Sequence, residues 1–218
     1  MRIAIAGAGK VGRSIARELI GNGHQVLLID RDAELAEPGV VEGAETLHAD
    51  ACELTSLEQA NLSQCQVMVA ATGDDKVNLV VSLLAKTEFG VPRVVARVNH
   101  PKNEWMFDES WGVDVAVSTP RMLSALVEEA VSVGDLVRLF SFRQGQANLV
   151  EITLSARSPV AGRRSGDVAW PADVVLVTIV RGPRVIAPSP DDALEIGDEL
   201  LFVASPDQEP ALRSLVAD

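Results

Sequence analysis

The chain is 218 residues long, 47% of them apolar, with two cysteines and a formal net charge of −12. That is enough apolar chain to build a core without disulfides or a structural zinc. Cys52 and Cys65 stand in no CxxC pattern, as suits free thiols in a reducing compartment. The acidic balance, with no Lys/Arg-rich stripe, speaks against a nucleic-acid partner. No stretch approaches the roughly 18–20 uninterrupted apolar residues of a membrane span. The start, MRIAIAGAGKVG, lacks the form of a signal peptide, so a soluble protein is expected.

Arg2–Ala6 reads as a short buried strand. Val11, Ile15, Ala16 and Leu19 then give a helical period over Gly12–Asn22, which the Gly21-Asn22-Gly23 turn ends. Further strands are expected at 25–29, 46–49, 66–71, 93–98 and 113–117, with a helical turn at 56–60 and a helix at 75–89. Pro101 marks another helix start. Strands that alternate with helices and read as apolar runs indicate a parallel sheet covered on both faces. The fold class is therefore α/β, a Rossmann-like doubly wound sheet.

The rhythm changes near Pro120. Residues 121–133 form an amphipathic helix, and from Leu136 the strands are short: LVRLFSF, NLVEITL, DVVLVTIVR, PRVIA and ELLFVA. A helix over 206–216 closes this smaller α+β domain. The expected division is a nucleotide-binding domain at 1–120, a crossover helix and linker at 121–135, and a carboxyl-terminal domain at 136–218.

Gly7-Ala8-Gly9-Lys10-Val11-Gly12 matches GxGxxG, after a strand and at the opening of a helix. Gly7 permits the tight turn, Gly9 lets a pyrophosphate approach the backbone, and Gly12 lets the helix pack on the sheet. The helix start offers unpaired N–H groups to phosphates. Asp30 ends the second strand about 20 residues on, where a ribose-binding acid belongs. An acid there disfavours a 2′-phosphate, although Arg31 beside it pulls the other way. Asp50-Ala51 and Ala71-Thr72-Gly73 end the third and fourth strands, at the ligand-binding edge of such sheets. Asp50 could accept from an adenine amino group, and Thr72 and Gly73 could approach phosphates or a second ribose. Arg97 lies within a strand-like run and needs an anion, either a ligand phosphate or a carboxylate such as Glu88 or Asp74. Lys10 could reach a phosphate, or be a solvated helix-start lysine.

An oxidoreductase would also need an acid or base near its reacting carbon. The chain has no Tyr and only three histidines. His24 and His48 fall at expected strand entries, and His100 follows the fifth strand. There is no GxSxG, HExxH or Walker lysine. A nucleotide sensor is favoured, with a small NAD-dependent oxidoreductase as the alternative. Ribose hydroxyls are common to NAD, NADH, ATP and ADP, so the residues leave the choice among them open.

The segments GAGKVGRSIARELIGNGHQVLLID, HADAC, AATGDDKVNLVVSLLAK and RVVARVNHP together resemble the amino-terminal domain of the RCK (KTN) regulators of potassium transport, of the Trk/Ktr type. The tail, with Gly197-Asp198-Glu199-Leu200 as a Gly-Asp-x-Leu signature, is similar to the family's carboxyl-terminal domain. The resemblance covers nearly the whole chain. It implies a non-enzymatic cytoplasmic subunit at the inner face of the membrane, working with a membrane potassium-translocating subunit. It also implies a homodimer or larger ring, alone or with a paralogous regulatory chain. Exchange of NAD(H), ATP or ADP in the amino-terminal domain would gate transport. The crossover helix would then present Met122, Leu123, Leu126, Val127 and Val133 to a partner subunit or to the chain's own core. In some relatives the carboxyl-terminal domain binds cyclic di-AMP, for which Arg163 and Arg164 could supply phosphate contacts.

Overall fold

The computed structural model describes residues 1–131, 133–142 and 147–217, which form two compact units, 1–120 and 121–218. In the first unit the strands are β1 (Arg2–Ala6), β2 (Gln25–Asp30), β3 (Glu45–His48), β4 (Val67–Ala70), β5 (Arg93–Val98) and β6 (Val115–Ser118). Between them run the helices α1 (Lys10–Gly21), α2 (Leu54–Gln59) and α3 (Asp75–Thr87). The strands pair in parallel in the order β3-β2-β1-β4-β5-β6. Strand order therefore reverses between β1 and β4, which opens a crevice at their carboxyl ends.

Alternation along each strand divides the apolar residues between two faces. Ile3 and Ile5 of β1 pack with Val26, Leu28 and Val69 against Ala16 and Leu19 of α1. The intervening Ala4 and Ala6 join Leu27, Ile29, Met68 and Ala70 against Leu57 of α2 and Leu79, Val81 and Ala85 of α3. Both faces are covered, which is why the strands read as unbroken apolar runs.

Some boundaries differ from the sequence reading for physical reasons. Helix α1 begins at Lys10 rather than Gly12. Gly12 does not break the helix; it lets the first turn rest on the preceding loop, because a Cβ there would lie 1.8 Å from Gly7 O. The segment opened by Pro101 is a 3-10 helix, Pro101–Met106. The next helix, α4 (Thr119–Val131), starts two residues before the expected Arg121. Its early start includes Pro120, whose missing N–H costs nothing in a first turn.

In the second unit α4 is followed by β7 (Val137–Phe142), β8 (Ala147–Thr153), β9 (Val174–Arg181), β10 (Arg184–Ile186) and β11 (Glu199–Ala204). These form an antiparallel sheet in the order β10-β9-β11-β8-β7. The expected closing helix is a 3-10 turn, Pro206–Gln208, leading into α5 (Glu209–Val216). Leu212 and Val216 of α5 pack on Val150, Ile152, Ile179, Leu200 and Phe202.

Asp198, fully buried before β11, gives the Gly-Asp-x-Leu signature a structural meaning. Its carboxylate accepts from Arg181 Nε at 2.7 Å and Nη2 at 2.8 Å, and from the Glu195 N–H at 2.8 Å. Arg181 Nη2 also donates to Ala193 O at 2.7 Å, so the pair fastens the end of β9 to the turn before β11. Removing one partner of a buried bidentate pair strands the other. Asp198→Ala should cost about 3 kcal/mol of unfolding free energy, measured by urea denaturation. Arg164→Ala, which removes the exposed Arg164–Asp191 pair, should cost less than about 0.5 kcal/mol.

Candidate functional site

The carboxyl ends of β1, β2, β4 and β5 enclose a cleft of about 620 Å³, within the range of small-molecule sites. It is lined by Gly7, Gly9, Lys10, Val11, Asp30, Arg31, Asp50, Thr72, Gly73 and Arg97, all singled out from the sequence. Ala71, placed with Thr72 and Gly73 at the ligand-binding edge, lines it too, as do Leu35, Asp74 and Val77, which were not foreseen there. Their spacing carries no ligand signal; Asp74 reads as the N-cap of α3, which it is, accepting from Lys76 N at 2.8 Å.

Two expected contacts are corrected. Ala8 does not line the cleft: its side chain is buried and its N–H donates to Asp30 Oδ2 at 2.6 Å. Ala51 is also buried, packed in the core on the α2 face of the sheet. In each case the backbone turns a small side chain inward, where a larger one would not fit a close-packed interior.

The glycine turn is fixed by contact. Gly7 has φ +100, and a Cβ on it would lie 2.9 Å from Thr72 N and 3.0 Å from Ala71 O. The turn thus lies directly against the end of β4. No side chain caps the start of α1, whose first residues line the cleft. Its unpaired amides and positive dipole end are therefore left for an anion. Asp30 holds the other side of the turn. Beyond the Ala8 bond, its Oδ1 accepts from Asp32 N–H at 2.9 Å. A carboxylate has about four acceptor positions, so both oxygens retain capacity for hydroxyl donors.

His48 lies beside Asp30, at the carboxyl end of β3 and not at a strand entry as expected. Its Nε2 is 3.0 Å from Arg31 O, so it braces the loop after β2. Asp50 Oδ1 accepts from Cys52 N–H at 2.8 Å. Burial first, and then the Asp50 carboxylate, push the Cys52 thiol up, which keeps it protonated and a poor nucleophile at neutral pH.

Arg97 projects from β5 into the cleft lining, and its buried Nε has no hydrogen-bond partner among the described residues. Neither Glu88 nor Asp74 forms an ion pair with it. A buried guanidinium nitrogen without an acceptor is costly, and a ligand anion in the cleft would supply one.

Behind the cleft wall lies a polar cluster that sequence reasoning missed. Asn78 is fully buried. Its Oδ1 accepts from Thr72 N–H at 2.9 Å and Thr72 Oγ1 at 2.7 Å, and its Nδ2 donates to Arg97 O at 2.8 Å. Asp75, also buried, accepts from Asn99 N–H at 2.6 Å, His100 N–H at 3.0 Å and Asn103 Nδ2 at 2.8 Å. Burial alone would raise the Asp75 carboxyl, but these hydrogen bonds outweigh it and hold it below its ordinary value. In the second unit, Arg163 donates to Asp167 O and Arg164 pairs with Asp191, so both are engaged by their own chain.

Residues 3–119 match the TrkA-N domain and residues 149–217 the TrkA-C domain. The chain is 59% identical over 216 residues to the Trk system potassium uptake protein TrkA of Mycobacterium tuberculosis, covering 99% of this chain and 98% of the relative. Among solved structures it is similar to the GsuK channel bound to NAD, with a TM-score of 0.69 and 18% identity, covering 100% of this chain and 39% of that one. It is also similar to GsuK bound to ADP, with a TM-score of 0.50 and 27% identity, covering 59% of this chain and 34% of that one.

The Asp75 cluster makes the fold sensitive to acid. A carboxylate held below its unfolded value of 3.8 contributes stability above about pH 4. That contribution is lost as pH falls through the lower folded-state value. Asp75→Asn should be less stable than wild type at pH 7, and its urea midpoint should fall less steeply from about pH 4 to about pH 2. Parallel midpoint-against-pH curves for the two proteins would contradict this.

Proposed function

The chain belongs to the TrkA family of Trk-system potassium uptake proteins, and from that premise we propose that it is the nucleotide-sensing regulatory subunit of a membrane potassium uptake system. TrkA is not an enzyme family, so the oxidoreductase alternative is set aside. The cleft at the β1/β4 reversal carries the reading. It combines a glycine turn pressed against β4, an uncapped helix start, an oriented ribose-type acid and an orphaned guanidinium nitrogen. GsuK has been solved with NAD and with ADP, and the same class of ligand suits this set of donors and acceptors.

In this reading Asp30 accepts the adenosine ribose hydroxyls, while the α1 amides, Lys10 and Arg97 face the phosphates. Arg31, Asp50, Thr72 and Gly73 complete the wall. The ligand is NAD(H), ATP or ADP, held and not consumed. It acts by binding one state of the assembly more tightly than another, since equal affinity for both would shift nothing. The acting form is a homodimer or larger ring, alone or with a paralogous chain, at the inner face of the membrane beside the potassium-translocating subunit. Met122, Leu123, Leu126, Val127 and Val131 are all exposed on α4, a stripe that a second subunit would cover. The nucleotide argument rests on the amino-terminal cleft and not on cyclic di-AMP contacts at Arg163 and Arg164.

Calorimetric titration with NAD, NADH, ADP and ATP tests the site. Asp30→Ala should weaken the preferred nucleotide about 10–100-fold, the worth of hydrogen bonds to a charged acceptor. A Cβ on Gly9 meets nothing within 4 Å, and its φ of −68 suits any residue. Gly9→Ala should therefore melt within about 2 °C of wild type yet bind nucleotide about tenfold or more weakly, because the methyl group enters the cleft. Unchanged affinity in both variants would refute the assignment. For the assembly, Leu126→Glu combined with Val131→Glu should reduce the mass measured by light scattering to that of a monomer; an unchanged mass would place the interface elsewhere.

A further inference from the structure

We infer that a partly buried hydrogen-bond relay makes the segment 99–106 the output element of the cleft, with Asn99 as its positioning residue. The inference rests on the reading of the cleft as a nucleotide site. The backbone N–H and carbonyl of Thr72 are engaged by the relay, while its Oγ1 is shared between Asn78 Oδ1 and the Asp74 backbone. Its N–H and Oγ1 donate to Asn78 Oδ1, and its carbonyl accepts from Asn78 Nδ2 at 3.3 Å and from Asn99 Nδ2 at 3.0 Å. Asn78 Nδ2 also donates to Arg97 O, so one buried amide holds both cleft-lining residues. Asn99 carries the connection onward: the Nδ2 that meets Thr72 O is also 3.0 Å from Asp75 Oδ1. Asp75 in turn accepts from the Asn99 and His100 amides and from Asn103 Nδ2.

The consequence is mechanical. The backbones of Thr72 and Arg97 cannot shift to meet a ligand without lengthening bonds to Asn78 and, for Thr72, to Asn99. Asn78 is fully buried and Asn99 half-buried, and a shielded polar group is costly to leave unpaired, so the network tends to move as a unit. The end of the relay is the 3-10 helix Pro101–Met106, which presents Trp105 at 77% exposure. Short 3-10 segments are weakly held by their own hydrogen bonds. Asp75 joins the His100 cap and the core packing of Met106 in holding this one in place. Nucleotide in the cleft thus tightens or loosens a surface segment that the nucleotide does not touch.

Hydrogen–deuterium exchange on the full chain, with and without saturating ADP or NAD, tests this. In wild type, exchange of amides 99–106 should change by at least about threefold on ligand addition. In Asn99→Ala the cleft-side link is cut while His100 N–H and Asn103 still hold Asp75. There the ligand-dependent change should fall below about 1.5-fold, while calorimetric affinity stays within about fivefold of wild type. A merely structural Asn99 would alter exchange equally with and without ligand. If wild type binds nucleotide with no change at 99–106, or if the change persists in Asn99→Ala, the relay is wrong and the nucleotide site stands. If neither nucleotide binds, both readings fall.

Discussion

The cleft depends on how closely two backbones approach at the point where strand order reverses. The turn after β1 rests on the end of β4 so tightly that residue 7 has no room for a side chain, and its φ of +100 excludes most residues independently. Gly12 repeats the constraint one turn later, pressing α1 onto Gly7 O. With those contacts made, the uncapped start of α1 stands over the carboxyl edge of the sheet. The Ala8–Asp30 hydrogen bond then draws the end of β2 to the same turn. A side chain at either glycine would push α1 off the sheet and carry its uncapped start away from Asp30 and Arg97, which strand pairing holds at one edge.

The wall opposite the turn is built differently. There the sheet edge is held by buried amides and a carboxylate. Asn78 and Asp75 leave α3 in its first turn and satisfy backbone groups of the loops after β4 and β5. Apolar packing tolerates small slides, whereas a saturated polar cluster in a low-dielectric interior has one good geometry. The glycine side of the cleft is thus fixed by contact, and the Thr72 side by a network with directional bonds. A ligand spanning both would find the first unyielding and could move the second only as a connected unit.

Much of this was legible in the sequence because it is local. The strand–turn–helix order around GAGKVG, the acid at the end of β2 and the arginine within RVVARV each announce themselves within a few residues. Asn78 does not. Its partners lie six and nineteen residues away, and nothing in DDKVNLVV separates a buried clamp from a solvated helix asparagine. Ala8 and Ala51 were expected at the cleft because motif positions name residues, not the direction in which each backbone turns. His48 was misplaced because a four-residue strand leaves little sequence from which to tell entry from exit. The early start of α4 follows the same pattern: Pro120 reads as a stop in a linear scan, yet sits comfortably in a first helical turn.

The chemistry around the cleft is suited to holding a ligand without transforming it. The nearby thiol of Cys52 is kept protonated by burial and by Asp50. Asp30 is pinned by two amides, His48 braces a loop carbonyl, and Thr72 spends its hydroxyl on Asn78. Each of these groups would need freedom to exchange a proton if it were to act as an acid or base. Here each is committed to geometry. A sensor gains from that commitment: fixed donors and acceptors make the bound and free states differ in strain, and only such a difference can move an equilibrium elsewhere in the assembly. In the proposed reading, the cleft at the glycine turn is one end of a mechanical linkage, with Asn78 and Asn99 as the joints that pass its state outward.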